Sequence, residues 1–141
     1  MLNGRAPTDL GVHDGRLKPP SDTPNSVSSQ STMWAGHAQA RAAQIAPLAL
    51  IDTGDGDGSA TMARLRAVVA VWPGARVAEE RSDYLRVQFE TRWLKFVDDA
   101  EFWFDPQARA VQLRSASRLG RRDFGVNRER IEAIRSRLSA P

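Results

Sequence analysis

The chain predicts an α+β fold: one four-stranded antiparallel sheet with two helices on one face and an extended N-terminal arm. Three features carry that expectation. Apolar residues recur at helical spacing after Ser59 and again after Asn127; four alternating segments joined by short turns lie between them; and the first 33 residues have no sustained period at all. Hairpin connections leave no room for the long crossovers that parallel strands need, so the sheet should be antiparallel. Within this single domain, residues 1–33 read as the arm, 34–58 as a short helix and flexible linker, and 59–141 as the α+β body.

The arm is rich in Pro, Gly, Ser, Asp and Thr. Leu10, Val12, Leu17 and Val27 are enough to lay it on a folded body, and too few to make a core of their own. Ala38 to Ile45 predicts a short helix before Pro47. Asp52 to Ser59 alternates acids with glycines, as a calcium loop does. It lacks the sixth-position glycine and the twelfth-position acid counted from Asp55, so a flexible linker is expected.

Ser59 is expected to cap a helix whose stripe is Met62, Leu65, Val68, Val69 and Trp72, ended by Pro73-Gly74. Strands are expected at Arg76–Glu80, Tyr84–Arg92, Phe96–Phe104 and Ala110–Ser117, with Asp105-Pro106 as turn chemistry between the last two. Asn127 is expected to cap a final helix lined by Ile131, Ile134 and Leu138.

A chain of 141 residues with 41% hydrophobic and 26% charged content is a globular domain, and its net charge of +3 is concentrated as arginine in the C-terminal third. With no cysteine, disulfides and thiolate metal sites are excluded. No signal-like N-terminus and no apolar run near the ~20 residues of a spanning helix is present, so a cytoplasmic chain without a transmembrane segment is expected.

Chemistry concentrates between Phe96 and Arg128. Strand alternation puts Asp99, Glu101 and Trp103 on the sheet face away from the helices, opposite Arg114, and sends Asp98 to the other side. One reading is a solvated salt-bridge ladder. The other is a cleft, because a tryptophan among charges is usually covered and the arm is the available cover. In that case Trp103 should be largely buried, with Asn25, Ser28 and Arg118 completing the lining.

As catalytic groups, Asp99 and Glu101 form a candidate acid and base pair if burial separates their pKa values. His13 and His37 lie outside the dense motif, which argues against a serine triad. No complete metal-ligand set or cofactor motif is legible. Arg114, Arg118 and Arg128, with Arg121 and Arg122 on the loop before the last helix, suit phosphate or carboxylate. Phe124 is the one aromatic among these arginines, which argues against nucleic acid.

Four segments in order carry a resemblance: Leu10-Gly-Val-His-Asp-Gly-Arg-Leu with Pro24-Asn-Ser-Val-Ser-Ser, Phe96-Val-Asp-Asp-Ala-Glu-Phe, Arg114-Ser-Ala-Ser-Arg-Leu-Gly, and Asp123-Phe-Gly-Val-Asn-Arg. Together they resemble the family called domain of unknown function 1499, from Leu10 to Leu138. The resemblance implies no activity, substrate or cofactor. Many members carry two cysteines near the Pro-Asn segment; here Pro19-Pro20 occupies the first neighbourhood and Ser26 stands at the second.

Two functions are therefore expected as alternatives. One is a small non-catalytic module that binds an anionic small molecule or an acidic protein surface through the arginine-rich loop and strand face. The other is a hydrolase-like enzyme built on Asp99 and Glu101.

Overall fold

The computed structural model describes residues 4–140. Its elements are β1 (Ser26–Ser28), β2 (Leu48–Ala49), α1 (Ser59–Ala70), β3 (Ala75–Glu80), β4 (Tyr84–Glu90), β5 (Val97–Asp105), β6 (Ala110–Ser117) and α2 (Val126–Ser139), with a 3-10 turn at Ser31–Met33. The sheet runs β1-β6-β5-β4-β3, every named pair antiparallel.

The sheet has six strands, not four. Both additional strands pair with the outer edge of β6, β1 against Arg114–Ala116 and β2 against Ala110–Val111. Segments of three and two residues fall below the length at which alternation is detectable. They exist because β6 would otherwise present an unpaired edge, and the incoming chain closes it.

One face of the sheet meets both helices. Met62, Leu65 and Val69 of α1 and Ile131, Ile134 and Leu138 of α2 pack on Leu85, Val87, Phe89, Ala100, Phe102, Phe104, Val111 and Leu113. These are the positions that period-2 and period-3.6 patterning predict. The β5–β6 turn forms as expected: Asp105 Oδ1 accepts the N–H of Gln107 at 3.0 Å and of Ala108 at 3.3 Å.

Three local expectations are corrected. Ala38–Ile45 forms successive turns rather than a helix. The Gln44 side chain donates to Ser29 O at 2.9 Å and accepts from Ser31 Oγ at 2.8 Å, which ties this stretch to the end of β1. The stretch before α1 is an ordered cap rather than a flexible linker. Asp55 is buried and accepts the N–H groups of Ala60 at 3.1 Å and Thr61 at 2.8 Å. Finally, neither Ser59 nor Asn127 is the N-cap; Gly58 and Gly125 are, both left-handed. Asp55 and Asp123, three and two residues before these glycines, satisfy the first helical amides instead, and a carboxylate suits the positive helix end better than a neutral side chain.

Candidate functional site

The N-terminal arm crosses the sheet face opposite the helices. Leu17 is 1% exposed and stands outside the main core cluster, so its burial belongs to this second layer. Its N–H donates to Gln30 Oε1 at 2.8 Å, and the Arg16 guanidinium lies 4.0 Å from the Trp34 ring centroid. The arm therefore converts the outer face from a wet surface into an interior.

The consequence for the acids is direct. Asp99 and Glu101 are 2% and 1% exposed, so the solvated ladder is ruled out. Asp99 is occupied by Arg118, whose Nε and Nη2 donate to its two oxygens at 2.7 and 3.0 Å. Glu101 stands in register between Arg86 on β4 and Arg114 on β6, without a direct ion pair to either within 4.0 Å. Its Oε2 instead accepts from Gly11 N–H at 2.7 Å and from the Tyr84 hydroxyl at 2.6 Å. Oε1 is buried with no hydrogen-bond partner among the described residues.

Burial pushes the Glu101 carboxyl above its ordinary range, against the opposing pull of Tyr84, Gly11, Arg114 and Arg86. The Tyr84 phenol is also raised, first by burial and then by the charge of Glu101. Burial lowers Arg114, with Glu101, Asp9 and Asp99 opposing it, and its Nε donates to Pro19 O at 3.0 Å.

Trp103 is half-buried rather than largely buried. The arm covers Glu101 and leaves Trp103 on the wall of a cleft of about 310 Å³, together with Gly11, His13, Arg81, Asp83 and Tyr84. His13, which sequence reasoning set aside, thus lines the same cleft as Tyr84, whose hydroxyl donates to Glu101.

Asn25, Ser28 and Arg128 do not join this cleft. Asn25 Nδ2 donates to Gly120 O at 2.7 Å, Ser28 Oγ accepts from Gln30 N–H at 3.1 Å, and Arg128 Nη2 donates to Ala42 O at 3.0 Å. Asn25 and Arg128 each hold one segment to another, and Ser28 holds the turn that follows β1.

On the helix side, sequence reasoning missed a buried polar network. Asn127 is fully buried: its Oδ1 accepts from Ser115 Oγ at 2.6 Å, and its Nδ2 donates to Asp123 Oδ2 at 2.8 Å, Ser117 Oγ at 3.0 Å and Asn25 O at 3.3 Å. Alongside, Asp98 pairs with Arg130 at 2.9 Å, both largely buried. Burial alone would raise Asp123, but the donors of Asn127 and Gly125 outweigh it and hold this carboxyl below its ordinary range.

The network floors a second cleft, of about 340 Å³, where the β4–β5 loop meets the loop before α2. This cleft is lined by the polar groups of Asp98, Ser117 and Asp123, by apolar Leu94, Phe96, Leu119, Phe124 and Val126, and by the cationic Arg122. Mostly apolar walls with a few convergent polar groups are the usual composition of a ligand site.

The residues of this network come from the segments that carry the family resemblance, and a model of the family described as Protein of unknown function (DUF1499) matches residues 16–138. The chain belongs to the DUF1499 family. No curated protein and no solved structure matches it. In this DUF1499 chain the Pro24-Asn25, Asp98-Asp99, Ser115-Ala116-Ser117 and Asp123-to-Asn127 segments meet around Asn127 and the start of β5. Their common signal in the sequence was small polar residues beside strand ends, which reads as turn chemistry until the fold brings them together.

Proposed function

We propose that this chain is a soluble, cytoplasmic, non-catalytic module that binds an anionic group through the arginine-rich loop between β6 and α2. The observation that supports the reading is a division among the arginines. Arg114, Arg118 and Arg128 are engaged internally, whereas Arg121 and Arg122 are exposed with no ion-pair partner among the described residues, and Arg122 borders the apolar cleft. A planar guanidinium beside a sheltered cleft suits a phosphate or carboxylate carried on a small molecule or a protein surface. The cysteine-free composition fits a reducing compartment, and no helix among the described residues is long and apolar enough to cross a membrane.

Tripolyphosphate added to the labelled protein should shift the backbone amide resonances of residues 119–125. Arg121→Ala/Arg122→Ala should weaken binding by about tenfold, since two exposed charge contacts of ~0.2–1 kcal/mol each are lost. Shifts that fall elsewhere, or an affinity indifferent to the substitutions, would remove this reading.

A second reading is favoured by one observation, the buried carboxyl of Glu101 behind the cleft that His13 and Tyr84 border. A carboxyl whose pKa is raised by burial can act as a general acid. Asp99 is not its partner, because Arg118 occupies both Asp99 oxygens. Because the folded pKa of Glu101 is raised, the native state binds the extra proton more tightly. The stability it contributes is full below the ordinary carboxylate range and is lost as pH rises through the folded value. The stability of the wild type relative to Glu101→Gln should therefore fall as pH is raised, and a difference that is flat or rises with pH would contradict the raised Glu101 carboxyl.

A further inference from the structure

We propose that the same end of the molecule docks on the surface of an anionic lipid bilayer, with Trp93 and Phe124 entering the headgroup region. This rests on the anion-binding reading of the loop and names its partner. The antiparallel pairing of Asp98 with Ser117 places the start of β5 beside the end of β6, so the Thr91–Phe96 and Arg118–Gly125 loops must emerge at one end of the sheet. That end carries the apolar excess of the surface. Trp93 is 83% and Phe124 87% exposed; Leu94, Leu119 and Val126 line one cleft with Phe124, and Trp93 precedes Leu94 in the chain, which makes five of the nine large apolar side chains exposed among the described residues. Scattered exposed apolar residues need no explanation, but a contiguous group does.

Charge selects the partner. Arg92, Lys95, Arg121 and Arg122 are all exposed on these two loops. Most acids at this end are already engaged: Glu90 pairs with Lys95 at 3.4 Å, Asp98 with Arg130 at 2.9 Å, and Asp123 accepts from the first turn of α2; Glu129, in that first turn, is exposed and adds one negative charge. No carboxylate among the described residues lies within ion-pair distance of Arg92, Arg121 or Arg122. The unpaired charge around this apolar centre is mainly positive. Tryptophan with aliphatic side chains, ringed by cations, matches the interface of a bilayer bearing anionic headgroups. Stacking on single-stranded nucleic acid would use Trp93 and Phe124 but gives no role to Leu94, Leu119 and Val126.

The test is co-sedimentation of the full chain with vesicles of phosphatidylcholine alone and with phosphatidylglycerol added, with tryptophan emission read in parallel. Binding should require phosphatidylglycerol and shift the emission to the blue. Trp93→Ala/Phe124→Ala should abolish the shift, and Arg121→Glu/Arg122→Glu should reduce partitioning by at least about tenfold. All four side chains are on the surface, so the variants should fold, and thermal melts check that they do. Equal binding to uncharged vesicles, indifference to either pair of substitutions, preference for an oligonucleotide, or a dimer that hides Trp93 would each overturn the proposal. Tripolyphosphate binding without vesicle binding would leave the anion-binding module standing and remove the lipid surface; loss of both would remove both.

Discussion

Replacing Asp98 by alanine will destabilise the domain by about 3–5 kcal/mol, the usual consequence of removing one member of a buried ion pair. Its partner Arg130 is 2.9 Å away on α2, with the guanidinium 4.7 Å from the Phe89 ring centroid, and neither side chain has free access to water. Without Asp98 the cation keeps a weaker contact to Asn127 Oδ1 at 3.3 Å and the face of Phe89, which do not replace a carboxylate. The double variant Asp98→Ala/Arg130→Met should recover most of the loss, because an apolar side chain of similar length then fills the site without an unpaired charge. Urea denaturation of the two single variants and the double variant measures the coupling. A cost below about 1 kcal/mol for Asp98→Ala, or no recovery in the double variant, would show that the pair is not the tie between sheet and helix described above.

Leu17→Ala will cost about 2–5 kcal/mol, as for a leucine in a packed core, even though Leu17 itself lies in no helix or strand. The reason is its position. It is 1% exposed on the sheet face that carries Glu101, Arg114 and Asp99, and the arm that it anchors supplies Gly11 N–H to Glu101 and Pro19 O to Arg114. Loosening Leu17 therefore gives up apolar contact and also lets water reach charged groups that are now paired or shielded. Deleting residues 1–20 should be more severe, and keeps β1 intact, whereas a cut at residue 30 would also remove a strand. Trp103 is already half-exposed, so its fluorescence will report the change less sharply than the urea midpoint will. A Leu17→Ala midpoint equal to that of the wild type would mean that the arm only lies on the sheet.

The body of the fold was legible because its signals are local. Leu85, Val87 and Phe89 alternate over one strand, and Ile131, Ile134 and Leu138 recur on one helix; each pattern has a single favourable burial. The hairpin at Asp105 was legible for the same reason, since the Asx turn needs only its own four residues. β1 and β2 were not, because Ser26–Ser28 and Leu48–Ala49 are strands only by virtue of the β6 edge they meet. The capping roles went to Asp55 and Asp123 over Ser59 and Asn127 because the choice depends on how the preceding loop folds back.

For the candidate sites, alternation along β5 correctly separated Asp98 from Asp99 and Glu101, and placed the last two opposite Arg114. It held no information on whether that face is wet. The arm settled this by covering it, which changed the acids from surface charges into buried ones, with Asp99 held by Arg118 and Glu101 by Tyr84, while Arg121 and Arg122 stay exposed without an ion-pair partner among the described residues. Side-chain direction follows from the backbone period of two within one strand, whereas burial, pairing and pKa follow from residues that are distant in the chain. Gly11 and Glu101, 90 residues apart, meet at 2.7 Å, and no local pattern encodes a contact of that range.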